Sequence, residues 1–299
     1  MAPVHIDPAS FQHKFIMTRG IRYHYVEEGD PKGEPLLLVH GFPDLWYGWR
    51  HQIKYLANLG YRVIAVDCVG YGETDAPMEL HKYGLKSVCS QLVGILDILN
   101  IPKVTLIGHD WGGAVVWRFG LHFPNRVHGI ISICTPYAPP MTQYHSLEEL
   151  VKVVPEFEYQ LGFADPSTAA KLDKIPEKFL GNILGSSDHE KDLDYMVQQY
   201  GISGFRGPLN YYKTTRVNFE DELDVKRKTI DLPSWIISAT QDPYLRPERA
   251  VKMKNYIPQL KSTTIEAGHF VMTEKPDEIN ALLKQALEDL ALRRNKASL

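Results

Sequence analysis

Apolar residues along this chain fall into two alternating rhythms. Short apolar runs at Pro35 to Val39, Arg62 to Asp67, Lys103 to Ile107, Val127 to Cys134 and Ser234 to Ala239 read as strands buried on both faces of a parallel sheet. Lys261 to Ile265, more polar, closes the series. Between them, Trp46 to Leu59, Gly84 to Leu99, the stretch ending at Phe123, Pro247 to Tyr256 and Pro276 to Leu292 carry apolar residues at helical spacing. Strand-helix alternation with right-handed crossovers predicts an α/β fold with a doubly wound, mostly parallel sheet.

Between Pro136 and about Phe219 the rhythm breaks. Pro139-Pro140, a charged helical patch at Leu147 to Val154 and a helical Ala169 to Leu180 occur there, without a strand-like run. Residues 137–219 are therefore expected to form a helical cap inserted over the carboxyl edge of the sheet, with the core built from 1–136 and 220–299. Ligands of open α/β folds bind at that edge.

Composition narrows the class. A chain of 299 residues, 44% apolar, supports one large core with a modest insertion. A net charge of -3 and the lack of a polybasic run argue against nucleic acid as the main partner. Three cysteines are too few for a disulfide framework. Met1 to Phe15 has no apolar signal core, and no run reaches the length of a membrane span. A cytoplasmic location is expected. The final Ala297-Ser298-Leu299 lacks the basic middle residue of a peroxisomal address.

The most informative stretch is Thr105-Leu106-Ile107-Gly108-His109-Asp110-Trp111-Gly112-Gly113. An apolar strand enters a glycine-framed turn and a helix leaves it, which is the frame of a nucleophile elbow with Asp110 in the nucleophile position. A carboxylate there attacks a saturated carbon and forms an alkyl ester on the enzyme. An aspartate can also be a plain N-cap, but a cap does not need a Gly-x-Asp-x-Gly-Gly frame after a buried strand.

Three further constellations complete a site. His40-Gly41-Phe42-Pro43-Asp44 follows the first strand run, and glycine before X-Pro permits a tight loop compatible with a cis Phe42-Pro43 bond. The amides of Phe42 and Trp111 would form an oxyanion hole. His269, in Gly268-His269-Phe270, follows the last strand in the order nucleophile, acid, base. Asp242, at the end of Ser234 to Ala239, is the acid that would hold His269 in its useful tautomer. Glu266 ranks below it.

Together with Asp67-Cys68-Val69-Gly70-Tyr71-Gly72-Glu73-Thr74-Asp75, these motifs resemble the signatures of soluble epoxide hydrolases of the α/β-hydrolase superfamily, in the expected order through both halves of the core. Gly204-Phe205-Arg206-Gly207-Pro208-Leu209-Asn210-Tyr211-Tyr212 is similar to that family's cap motif, which maps its tyrosine to Tyr212 and a second cap tyrosine to Tyr159. Gly162-Phe163 departs from the pattern, because many members carry another aromatic before the Phe. The resemblance implies a small apolar epoxide and water as substrates, opening by Asp110 with Tyr159 and Tyr212 donating to the epoxide oxygen, and ester hydrolysis by water activated at His269. Phe42, Trp111, Tyr159 and Tyr212 would contact substrate.

A haloalkane dehalogenase is the closest rival, since it shares the Asp elbow, the following Trp and the histidine. Phe42, however, stands where an Asn would help bind halide. A ligand-sensing protein on a retired hydrolase scaffold is a third reading, and the complete nucleophile-acid-base set argues against it. Gly70-x-Gly72 lacks the third glycine of a dinucleotide fingerprint. No metal-ligand spacing or P-loop is present, so neither metal nor cofactor is expected. The sequence is compatible with a monomer or a homodimer.

Overall fold

The computed structural model describes residues 5–185 and 190–297, so Ser298 and Leu299 of the weak peroxisomal resemblance lie outside the described residues. Eight strands, β1 (His13–Thr18), β2 (Ile21–Glu28), β3 (Pro35–Val39), β4 (Arg62–Val66), β5 (Val104–His109), β6 (Val127–Ile133), β7 (Ser234–Ala239) and β8 (Leu260–Ile265), form one sheet in the order β1-β2-β4-β3-β5-β6-β7-β8. β3 to β8 are mutually parallel, and every residue of β5 is buried. Burial on both faces explains why β3 to β7 are mostly apolar without alternation, whereas β8, at the edge of the sheet, is polar and largely exposed.

β1 and β2 are additions to the expected set. They pair antiparallel, and β2 continues antiparallel onto β4. Their sequences mix apolar residues with Lys14, Arg22, His24 and Glu27, so no continuous apolar run marks them. Arg19 and Gly20, the two residues between the strands, have φ of 50° and 76°. Positive φ at both positions of a two-residue loop matches the right-handed strand twist of a hairpin.

Helices cover the sheet. The run expected as one helix from Trp46 divides into a 3-10 turn, Trp46–Trp49, and the α-helix Arg50–Asn58. Leu85–Ile98 and Trp111–His122 follow as expected, Pro247–Asn255 is 3-10 rather than α, and the last helix, Pro276–Ala297, runs past its expected end.

Among the described residues between β6 and β7 the chain forms helices and no strand. The main ones are Leu147–Val153, Tyr159–Ala164, Thr168–Leu172, Pro176–Leu184, Glu190–Ser203, Arg206–Asn210 and Thr215–Asp221. Ser146 and Glu149 build a reciprocal capping box at the first. The helix expected over Ala169 to Leu180 is broken, because Pro176 cannot extend a preceding helix and instead starts the next.

These helices are tied to the carboxyl ends of the strands. Arg206 donates to the carbonyls of Ala76 (2.6 Å) and Pro77 (2.9 Å), and the Tyr200 hydroxyl donates to the Pro43 carbonyl at 2.9 Å. A Cβ at Gly207 would lie 2.6 Å from the Gly70 carbonyl oxygen, so the two backbones touch where side chains would keep them apart. This contact accounts for Gly70, whereas Gly72 is required by the Asp67 carboxylate, 2.4 Å from where its Cβ would lie.

Candidate active site

β5 delivers Asp110 to the top of the sheet. Its φ of 52° and ψ of -123° place it in a region that costs an L-residue about 1–3 kcal/mol. The turn is held by its own carbonyl, which accepts from the Thr135 hydroxyl (2.7 Å) and the Ala114 amide (3.1 Å). The reward of this geometry is a carboxylate lifted clear of the strand at the start of the helix Trp111–His122, where the helix dipole favours negative charge.

The loop after β3 meets it. Phe42-Pro43 is cis, and the Phe42 amide donates to Asp110 Oδ1 at 2.8 Å. Gly41 is needed there, because a Cβ would sit 2.3 Å from that same oxygen. His40 shapes the loop from beneath. Its Nε2 accepts from the Cys68 amide at 2.9 Å, so the proton is on Nδ1, which donates to the Gly41 carbonyl at 2.8 Å.

His269 faces the other carboxylate oxygen, with Nε2 3.7 Å from Asp110 Oδ2. Its Nδ1 donates to Asp242 Oδ2 at 2.7 Å, while Asp242 Oδ1 accepts from the amides of Tyr244 (2.8 Å) and Leu245 (2.9 Å). Glu266 is exposed and accepts from the Gln241 side chain at 3.5 Å, away from His269 Nδ1, which is held by Asp242. The imidazole tautomer is thereby fixed, with the Nε2 lone pair turned toward Asp110.

The electrostatics follow from burial and contact. Burial works to raise the Asp242 carboxyl, but the His269 contact and the two amides outweigh it and hold its pKa at about 2. Burial works to lower His269, yet Asp242 and Asp110 raise it above the ordinary histidine range. Asp110 itself is raised, mainly by desolvation, against the lowering effect of His269 and the Phe42 and Trp111 amides.

Aromatic rings, among them Tyr159 and Tyr212 from the helices between β6 and β7, wall the carboxylate. Tyr212 lies edge-on to Trp111 (5.2 Å between ring centres) and to Phe42 (5.6 Å), and Tyr159 is 6.3 Å from Tyr212. Burial first, and then the Asp110 charge, raise both phenols above their ordinary values. Both are therefore protonated at neutral pH. All seven residues singled out in the sequence, Asp110, His269, Asp242, Phe42, Trp111, Tyr212 and Tyr159, lie in this one cluster.

Several further side chains support the site. Phe163 packs on both Phe42 and Tyr212 at 5.1 Å, and Tyr244 joins Tyr159 (4.8 Å) to His269 (6.1 Å). Buried His109, its pKa pushed down to about 3 by desolvation, is neutral and donates from Nε2 to the His269 carbonyl at 2.8 Å. The Glu274 carboxylate accepts from the amides of Gly268 (2.6 Å) and Phe270 (3.1 Å), clamping the loop on both sides of His269. Thr135 and Tyr244 could have been sought at strand exits, since the carboxyl edge is where such folds place function.

Residues 34–276 match the family model for the alpha/beta hydrolase fold. Epoxide hydrolase srdG of Neurospora crassa is 33% identical, across 94% of this chain and 96% of its own length. Bifunctional epoxide hydrolase 2 of Rattus norvegicus is 35% identical across 94% of this chain, which spans only 56% of that longer protein. The crystal structure of epoxide hydrolase A from Mycobacterium thermoresistibile superposes with a TM-score of 0.86 at 30% identity, covering 93% of this chain and 98% of that one. With an Asp-bearing elbow, a His-Asp pair behind it and likeness of sequence and fold over nearly its whole length, this chain belongs to the epoxide hydrolases of the α/β-hydrolase fold.

Proposed function

We propose that this chain hydrolyses small apolar epoxides to vicinal diols through an alkyl ester on Asp110, with residues 137–219 as the cap that completes the site. The observation that carries this reading is a carboxylate on the elbow, one oxygen held by the Phe42 amide and the other facing His269. With Oδ1 engaged, Oδ2 is the attacking atom. It bonds to an epoxide carbon as the C–O bond breaks, and the alkoxide takes a proton from Tyr159 or Tyr212. Water then loses a proton to His269 Nε2 and adds to the ester carbonyl carbon. Oxyanion charge collects on Oδ1, where a hydrogen-bond donor is already in place. Collapse expels the diol oxygen, which takes the proton of the re-formed Asp110 carboxyl, and the His269 imidazolium returns its proton to the tyrosinate, restoring the resting site. In a single turnover in oxygen-18 water, label should appear in Asp110 and not in the first diol; label passing straight into diol would mean direct attack by water.

The two phenols supply acid assistance that ring opening needs, since an alkoxide leaves poorly. Tyr212→Phe or Tyr159→Phe alone should lower kcat about 10-fold, because one hydroxyl remains, and the double variant roughly 1,000-fold, within the usual range for general acid catalysis. Equal and additive small losses in all three, read from steady-state diol formation, would remove the tyrosines from the chemistry.

Alkylation requires the ionised form of Asp110. A raised pKa means that this form is complete only above the ordinary carboxylate range and is lost as pH falls through the raised value. The burst of ester formation should therefore fade on the acid side at a pH above that of an unperturbed aspartate, about 3.9. A burst that persists unchanged to pH 3.5 in rapid-quench measurements would contradict this.

Dehalogenation fits the site less well. The Trp46 indole donates to the Tyr195 hydroxyl at 3.0 Å, and the groups opposite Asp110 are acidic phenols rather than donors without a proton to deliver. Diol from styrene oxide without halide from a bromoalkane is the expected outcome, and the reverse would select the other chemistry.

A further inference from the structure

The β1-β2 hairpin carries a second cluster of chemistry-bearing side chains, on a different surface from the site around Asp110. His13 on β1 and His24 on β2 face each other through single ring nitrogens, with His13 Nδ1 2.9 Å from His24 Nε2. The remaining nitrogen of each ring is already committed. His24 Nδ1 lies 2.7 Å from Asp67 Oδ2, and His13 Nε2 lies 2.9 Å from the Pro8 carbonyl oxygen. Carboxylate and carbonyl oxygens accept, so both of these nitrogens carry the proton of a neutral ring. The two facing nitrogens are then both lone pairs.

Their geometry is edge to edge. The ring centres are 5.1 Å apart and the planes differ by 22°, so the 2.9 Å contact plus the two ring radii nearly accounts for the separation. Two lone pairs aimed at one another repel unless a proton or a metal ion lies between them. Glu73 adds negative charge to the same place, with Oε2 3.8 Å from His24 Nε2, and the three ligand atoms all lie within 4.8 Å of one another. His24 is fully buried, His13 is exposed, and the cluster borders a surface cavity of about 610 Å³ lined by His13, Glu73, Asp7 and Gln198.

We propose that His13, His24 and Glu73 form a binding site for one divalent transition-metal ion of the zinc type. Two imidazoles and one carboxylate make a donor set suited to such an ion, with water from the cavity as the fourth ligand. The outer contacts are those that metal-bound histidines need. Asp67-His24 is a carboxylate-histidine pair that fixes tautomer and ring orientation, and the Pro8 carbonyl does the same for His13. Bonds of about 2.0–2.1 Å in tetrahedral geometry put the two nitrogens about 3.4 Å apart. The half-ångström widening falls on His13, whose ring is exposed, while buried Asp67 and His24 stay fixed. Asp67 also accepts from the Trp46 amide at 3.1 Å, so the ion would staple the hairpin to the segment that follows the Phe42 loop.

The test is calorimetric titration of zinc chloride into the full chain after chelator treatment, with thermal melts alongside. A second group, His109, Cys134 and His269, also brings three ligand atoms together at the active centre, so the titration is repeated in His269→Gln. One equivalent of zinc should bind and raise Tm, and binding should survive His269→Gln. It should weaken at least about 10-fold in His13→Ala, at an exposed position, and in Glu73→Gln, at a half-buried one and nearly isosteric, with the Tm increment lost. Absence of saturable one-to-one binding, binding unchanged by both hairpin variants, or binding lost in His269→Gln would each overturn the assignment.

Discussion

Asp110→Asn is expected to abolish diol formation, with a loss of about 10,000-fold or more in kcat and no accumulation of ester. The size follows from the role: without the carboxylate there is no covalent route, and only the residual effect of binding and acid assistance remains. Asparagine is the right probe because it preserves volume and tolerates the positive φ of 52° at this elbow better than most residues. The fold should therefore be retained, with an unchanged melting profile. Mass spectrometry must exclude deamidation, which would regenerate aspartate. An undeamidated variant that turns over within 10-fold of the parent would dismiss the ester mechanism.

His269→Gln separates the two halves of the cycle. Asp110 keeps its Phe42 contact, so ring opening proceeds, while water loses its base. General base catalysis is worth about 100- to 10,000-fold, and steady-state turnover should fall by that order. Intact-protein mass spectrometry after mixing with substrate should show one increment equal to the epoxide mass, located on the peptide containing Asp110. An inactive variant with no adduct would place His269 in the opening step instead. Asp242→Asn should resemble it in weaker form, because Asp242 acts through the imidazole it orients.

How much of this was legible beforehand depended on whether the signal was local. β3 to β7 announced themselves because burial on both faces leaves an uninterrupted apolar run. The hairpin did not, since polar His24 and Glu27 interrupt the apolar residues of β2 and are buried with polar partners of their own. The elbow, the Phe42 loop and the His269 turn were readable because close backbone approach fixes residue type at neighbouring positions, as at Gly41. Tyr244 and Glu274 were not, because nothing in sequence ties an aromatic or an acid to a loop that it meets only in space. The one helix expected across Lys174 to Pro176 shows the opposite error, where apolar spacing outweighed the proline.

The 3.7 Å approach of His269 to Asp110 has a further effect on timing. While the nucleophile is anionic it increases the proton affinity of the ring beside it. In the proposed cycle, alkylation would convert that anion to a neutral ester, the ring's affinity would fall, and the imidazole would shed its proton just when water needs to be deprotonated. On the proposed mechanism the base would thus be armed by the product of the preceding step, through one pairwise contact.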